Sequence, residues 1–323
     1  MGNVAFRKIQ IGEESTEGTA VAATAMLDAG APPGGIVVEN RASLVRRATP
    51  AVLALHGRQH LAQQVVGLRF DGDLTPEQVL YLLHMGVKGN VTPSGTASPY
   101  TWTFTKATTA EPTLDSFTIE YGDDTQAYEV NGCIAESIEF SGGLGGGELC
   151  QMSADIYGWT RTTTTFTSLS VPSVTPLAAN YSRLYVDTTW AGLGGSELTA
   201  ELLGWRLSLP CSYPIWRGTN LYPAGHGIEP TAATFELRME FTANAATELA
   251  AVEAGTSRFI RILVAKDANH SFQIDGCFVW DPASIFDADR GDNIVALSGQ
   301  SMYDSTGTKE LEIVVVNTVA TLP

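Results

Sequence analysis

His56 and His60 stand four residues apart, a spacing that on a helix would aim both imidazoles at one metal ion. No third ligand at a suitable distance accompanies them, and residues 51–64 lack the caps and apolar stripe of a helix, so no metal site is expected there. Asp287-Ala-Asp-Arg-Gly-Asp-Asn293 places carboxylates at alternating positions as calcium loops do, and contains the tripeptide Arg290-Gly291-Asp292. The distal glutamate of such a loop is missing, and Asp, Gly and Asn are what an acidic turn takes. Gly142-Gly-Leu-Gly-Gly-Gly147 has neither the dinucleotide spacing nor a following Gly-Lys-Ser/Thr. Gly192-Leu-Gly-Gly-Ser-Glu-Leu198 repeats its wording, and both read as turns. Cys133, Cys150, Cys211 and Cys277 form no CxxC pair and no cluster with histidine, and read as small buried hydrophobes. There is no Gly-x-Ser-x-Gly elbow, and the many carboxylates show no arrangement for glycoside cleavage. The expectation is therefore no catalytic residue, no cofactor-binding residue, no metal ligand and no cofactor.

The charge balance is more informative. Nineteen Lys and Arg face thirty-five Asp and Glu, a net charge of −16. Such a surface repels phosphate and cannot grip nucleic acid by releasing its counterions. It suits a wall along which DNA must slide without sticking. The chain has 323 residues, room for two domains of ordinary size. With 44% hydrophobic and 17% charged residues it is expected to be globular. Thirty-two Gly, fifteen Pro, abundant Thr and no run of 18 apolar residues predict short strands and turns, and no membrane-spanning helix. The first ten residues alternate polar and apolar and lack the apolar stretch of a signal peptide.

The elements that must carry these residues repeat. Residues 68–86, LRFDGDLTPEQVLYLLHMG, align without a gap on residues 237–255, LRMEFTANAATELAAVEAG, at an offset of 169. Thr75 and Asn244 match as N-caps, with Pro76 at the first helical position and Gln78 at the third in the first copy. Gly86 and Gly255 match as left-handed helix stops. Helices are thus predicted over 76–85 and 245–254, one burying Val79, Leu82 and Leu83, the other Leu249 and Val252. Before each helix, Val66, Leu68 and Phe70, and Phe235, Leu237, Met239 and Phe241, alternate with polar residues or glycine as a half-buried strand does. Tyr128-Glu-Val-Asn-Gly-Cys133 matches Phe272-Gln-Ile-Asp-Gly-Cys277 at an offset of 144, and Tyr157 and Tyr303 follow. The smaller offset implies an insertion between Lys88 and Pro112 in the first copy, expected as a long exposed loop or hairpin with a strand over 101–105.

The predicted fold is mainly β: two similar antiparallel β-sandwich domains, each with one short flanking α-helix. The first spans 1–165, with an N-terminal arm and a long inserted loop near 88–112, and the second spans 166–323. The Thr-, Ser- and Pro-rich tract 160–176 joins them.

Lys8-Ile-Gln-Ile-Gly-Glu-Glu-Ser-Thr-Glu-Gly-Thr-Ala-Val-Ala-Ala-Thr24 resembles the opening of the tail tube proteins, the major tail proteins of long-tailed bacteriophages. The order strand, short helix, strand, late hairpin extends the resemblance over most of both halves. It implies tail-tube-like domains whose inner sheets combine, around a ring, into one barrel enclosing a DNA channel. Family members mostly carry one domain and form hexamers. A duplicated chain then implies a homotrimer, a pseudo-hexameric ring, stacked into a tube in the virion after assembly in the host cytoplasm. The implied partners are further copies of the chain, the tape measure, tail terminator and distal tail proteins, and double-stranded DNA passing through the lumen without specific binding, with no membrane involved. A distal tail or tail-terminator ring is the nearest alternative, and a carbohydrate-cleaving β-sandwich tail enzyme a more distant one. Open sheet edges give ring closure a physical reason. The first twenty or so residues and the 88–112 insertion, both Gly- and Thr-rich, are expected to bridge ring to ring, and deleting residues 1–27 or the tip 90–98 is expected to leave folded rings that no longer stack.

Overall fold

A computed structural model describes residues 6–28, 36–48, 50, 53, 58–143, 148–282, 287–289 and 292–322. The fold is mainly β, with large antiparallel sheets and, among the described residues, two α-helices. The first half runs β1 (Lys8–Glu13), β2 (Ala25–Leu27), β3 (Ile36–Arg47), β4 (Arg58–Asp73), α1 (Val79–Gly86), β5 (Tyr100–Thr105), β6 (Phe117–Gly122), β7 (Ala127–Gly143), β8 (Gln151–Gly158) and β9 (Arg161–Thr164). The second runs β10 (Ser182–Asp187), β11 (Leu202–Pro210), β12 (Tyr213–Pro214), β13 (His226–Gly227), β14 (Thr234–Glu240) and α2 (Ala243–Ala254). It continues with β15 (Arg258–Asp267), β16 (His270–Trp280), β17 (Asp287–Asp289), β18 (Asp292–Ser301) and β19 (Leu311–Asn317).

The two halves share one pairing scheme. In the first, β1 pairs with β6, β6 with β7, β7 with β8, β8 with β4 and β4 with β3. In the second, β10 pairs with β15, β15 with β16, β16 with β18, β18 with β14 and β14 with β11. Equivalent residues hold equivalent places: Cys133 lies opposite Phe117, and Cys277 opposite Phe259. Alternation explains the strands. In β14, Phe235, Leu237 and Met239 are fully buried while Glu236, Arg238 and Glu240 are exposed, which is the period of two written in the sequence.

The interiors of the halves are continuous. Leu68, Phe140, Leu207, Phe235, Phe272 and Ile313 belong to one hydrophobic cluster, and the Phe140 and Phe272 rings pack with centroids 4.9 Å apart. Two strand pairings join the halves, β7 with β11 and β5 with β19.

Both helices form where the repeat places them, but their caps differ from the expectation. In α2 the capping side chain is Thr242, whose Oγ1 accepts from the amides of Asn244 (3.2 Å) and Ala245 (3.4 Å), so Asn244 lies inside the helix. Before α1, the Thr75 hydroxyl is buried without a partner and only its carbonyl takes part, accepting from Gln78 and Val79. Gly255 adopts the expected left-handed conformation with φ 62°. Gly86 does not, and its small size has another reason: a Cβ there would lie 2.5 Å from Ile138 Cδ1. The burial also differs. All of α1 from Val79 to Met85 is enclosed, rather than one face.

Two segments expected to be loose are packed. Ile9, Ile11, Ala23 and Leu27 are core residues, and β1 lies between β2 and β6. After β1, Glu14 is buried and accepts from the Gly18 amide, the Ser116 and Thr118 hydroxyls and the Gly132 amide, all at 2.8 Å, which pins the turn. In the insertion the expected strand is present as β5, but it is not exposed: Trp102 and Phe104 are buried and β19 of the second half pairs along its whole length. Within it the stretches open to solvent are the tip near 94–99 and residues 108–111. The segment that projects is the β3–β4 hairpin.

Candidate assembly surface

The β7–β11 pairing builds one antiparallel sheet in the order β3-β4-β8-β7-β11-β14-β18-β17, two four-stranded sets joined in the middle. The joint is well made. Phe140 lies opposite Leu207 and both are fully buried, while on the other face Arg206 reaches Glu139 at 2.6 Å. Gly142 lets the strands close, since a Cβ there would meet Trp205 Nε1 at 2.6 Å. At the ends, β3 has a described partner only in β4, and β17 only in β18. β3 holds the place of β11, and β16 and β17 together hold the place of the long β7, with β17 matching its residues Glu139–Ser141; β11 and that end of β7 are the strands that pair at the central joint. One end of the molecule thus carries the edge that β11 uses, and the other end the edge that β7 uses.

One face of this sheet covers the core and the other is polar. Arg41, Arg69, Arg206 and Arg238 stand on the polar face among Glu39, Asp71, Glu139, Asp155, Glu236 and Glu240. Arg41 pairs with Glu136 at 2.8 Å and Arg69 with Asp71 at 3.2 Å, and Arg238 is also engaged. Hydrogen bonds to these carboxylates raise the guanidinium pKa values of Arg41, Arg69 and Arg206, so the cations stay charged but locally neutralised. The face is left with excess carboxylates and no unengaged arginine among those named.

The second joint is tied by polar side chains. Asn317, fully buried at the end of β19, accepts from Trp102 Nε1 (3.2 Å) and the Val319 amide (3.0 Å) and donates to the Pro76 carbonyl (2.7 Å). Lys106 Nζ reaches Glu310 at 2.7 Å and the Thr231 carbonyl at 2.5 Å, and Glu310 also accepts from Ser301. These residues line an open groove of about 710 Å³. Nearby, His84 Nδ1 and Asp115 are buried together at 2.7 Å, with the His84 ring edge-on to Trp102 and Phe104. On the far side, Glu248 of α2 is buried against Arg258 (2.5 Å) and accepts from Trp280 Nε1 (3.1 Å).

The motifs singled out in the sequence are scattered. His60 sits in β4, so a spacing of four brings no helical face into play, and His56 lies outside the described residues. Arg290 and Gly291 also lie outside them, and Asp289 pairs with Asp292 as the flanks of a hairpin turn. Residues 144–147 are outside as well, while Gly142 and Gly143 end β7 at the equivalent hairpin. Gly192 closes a single 3-10 turn. Among the described residues no group of three or more His, Cys, Asp or Glu is placed to hold a metal ion. The four cysteines are free and buried. Burial pushes the Cys150 and Cys277 thiols up to about 11 and Cys211 to about 12. No described helix is long and apolar enough to cross a membrane.

Sequence reading missed Asn317, the His84–Asp115 pair, Glu14 and Glu248. Only Glu248 leaves a trace, as a charge at the centre of the predicted helix 245–254. No protein-family model and no curated protein matches this chain.

Proposed function

We propose that this chain is a structural subunit of a phage tail tube, closing as a trimer into a pseudo-hexameric ring and stacking into a conduit for DNA. The observation that carries this reading is the β7–β11 joint. It is a head-to-tail contact between equivalent edges of two repeats, and the same two edges stay open at β3 and β17. Repeating that contact between chains is heterologous association, which closes into a ring when the rotation allows. Closure removes every edge of the sheet, the general remedy for exposed strand edges. Three copies supply six four-stranded sets, matching the hexamer of the single-repeat family.

In such a ring the core face looks outward onto the second layer and the polar face lines the channel. Its arginines are matched by carboxylates, so little free positive charge is offered to DNA phosphates. DNA then keeps its counterions and slides. The part played is mechanical and needs no catalysis or cofactor. Its partners are further copies of itself and the tail proteins that cap and fill a tube, the tape measure, terminator and distal tail proteins. Its place is the virion.

Negative-stain electron microscopy of the purified protein tests this. Three-fold rings and long hollow tubes are expected. Isolated rings that never elongate would favour a terminal or distal ring, and monodisperse monomers at high concentration would remove the reading.

A further inference from the structure

We infer that the far part of the β3–β4 hairpin is a basic arm that seats on the acidic rim at the opposite end of the sheet in a second copy, so that rings stack head to tail. This rests on the ring reading above and names its stacking contact.

The arm begins where its support ends. β8 stops at Gly158 opposite Val66, Val65 is still buried and the Gln64 amide donates to the Leu221 carbonyl, and beyond them residues 58–63 of β4 have a described strand partner only in β3. Six residues at about 3.3 Å each extend roughly 20 Å. Residues 41–47 and 58–63 are all exposed, including Leu44, Val45 and Leu61. A two-stranded ribbon exposed on both faces is marginal alone in water and gains stability by docking. Its charge specifies the surface it needs. Arg46, Arg47 and Arg58 have no ion-pair partner among the described residues, and Arg47 lies directly opposite Arg58 across the ribbon. Like charges in that position repel, unless an anionic surface sits against them.

Such a surface lies at the other end of the same strands. The registers bring the end of β4, the start of β8, the start of β11, the end of β14 and the start of β18 to one rim. That rim carries Asp73, Glu148, Glu201, Glu240 and Asp292, none with an ion-pair partner among the described residues. Arg69, Arg206 and Arg238 on the adjoining face are already engaged. A cationic arm at one end and an anionic rim at the other, on a chain of net charge −16, are complementary under translation along the strands. Stacking of this kind is polar, open-ended and sensitive to salt.

The test uses the full chain and two charge-reversed variants, R46E/R47E/R58E in the arm and E148K/E240K/D292K on the rim. Far-UV circular dichroism and protection of the four buried thiols verify folding. The expected result is that each variant alone forms rings without tubes, that the two mixed together form tubes again, and that wild-type tubes fall apart into rings at about 1 M salt, where screening acts within about 3 Å. Tubes formed by the arm variant alone as abundantly as by wild type would overturn the inference while leaving the ring reading standing. So would failure of the mixture to elongate. Arm-dependent binding of double-stranded DNA or anionic vesicles, with stacking unaffected, would assign the arm another partner and equally overturn it. If wild-type protein forms no rings, the ring reading falls first.

Discussion

Glu248 shows how a single side chain ties the second half together. It is 2% exposed and receives three donors, two guanidinium nitrogens of Arg258 and the Trp280 indole. Removing one partner of a buried pair strands the other, so Glu248→Ala should destabilise the fold by about 3–5 kcal/mol, read as a shift in the urea midpoint. A cost within noise would mean Arg258 finds water instead. Asn317→Ala should cost about 1–3 kcal/mol by orphaning the Pro76 carbonyl and weakening the hold on Trp102. The cysteines give a third expectation. Burial holds the Cys150, Cys211 and Cys277 thiols near 11 to 12, and that of Cys133 well above its ordinary value, so at neutral pH all four are protonated and enclosed. Alkylation of native protein should label none and denatured protein all four, by mass spectrometry. These roles were hardly legible beforehand. The type of Asn317 is written in the chain, but its three partners come from positions 76, 102 and 319, and no local pattern encodes such a meeting.

Strands and helices were legible where a period repeats and less so at their ends. The alternation through 66–70 and 235–241 marks β4 and β14, and the matched glycines bound both helices. The caps shifted because Thr242 and Asn244 are both good capping residues, and tertiary contacts select between them: Thr242 Oγ1 and Asn244 Nδ2 both donate to Glu201, at 2.9 and 2.7 Å. The N-terminal segment was misjudged because small residues look loose in isolation. Its four buried apolar side chains, Ile9, Ile11, Ala23 and Leu27, say otherwise, with about 1.5–3 kcal/mol for each large one. Deleting residues 1–27 should therefore yield insoluble or unfolded protein. Replacing residues 44–62 of the β3–β4 hairpin by a two-residue Asn-Gly turn should leave the melting temperature unchanged. A stable N-terminal truncation, or a hairpin deletion that unfolds the chain, would reverse the assignment of core and arm.

At the scale of the whole molecule, the duplication was legible because both copies keep the same turn and helix signals. The joints were not. A period of two tells which face of a strand is buried and says nothing about which strand lies beside it. So β7 could not be matched to β11, nor β5 to β19, from residue types alone. Under the proposed ring, the β7–β11 register specifies the contact between chains. Arg206 lies opposite Ser141 in the joint. Glu39 is the repeat equivalent of Arg206, since their partners Gly67 and Glu236 stand 169 residues apart. Asp289 is the equivalent of Ser141, because it pairs across the matching hairpin with Asp292, two residues before the Ile294 that faces Glu240. Glu39 of one copy should therefore face Asp289 of the next, with the Cα separation of about 4.5–5.5 Å of an antiparallel pair, within reach of a disulfide. The decisive measurement is oxidation of the double variant E39C/D289C followed by non-reducing electrophoresis. The account predicts a ladder of one, two and three chains that ends at three, with neither single variant passing beyond a dimer. No crosslinking in the double variant, or a ladder that continues past three, would contradict a ring closed by repeating the β7–β11 contact.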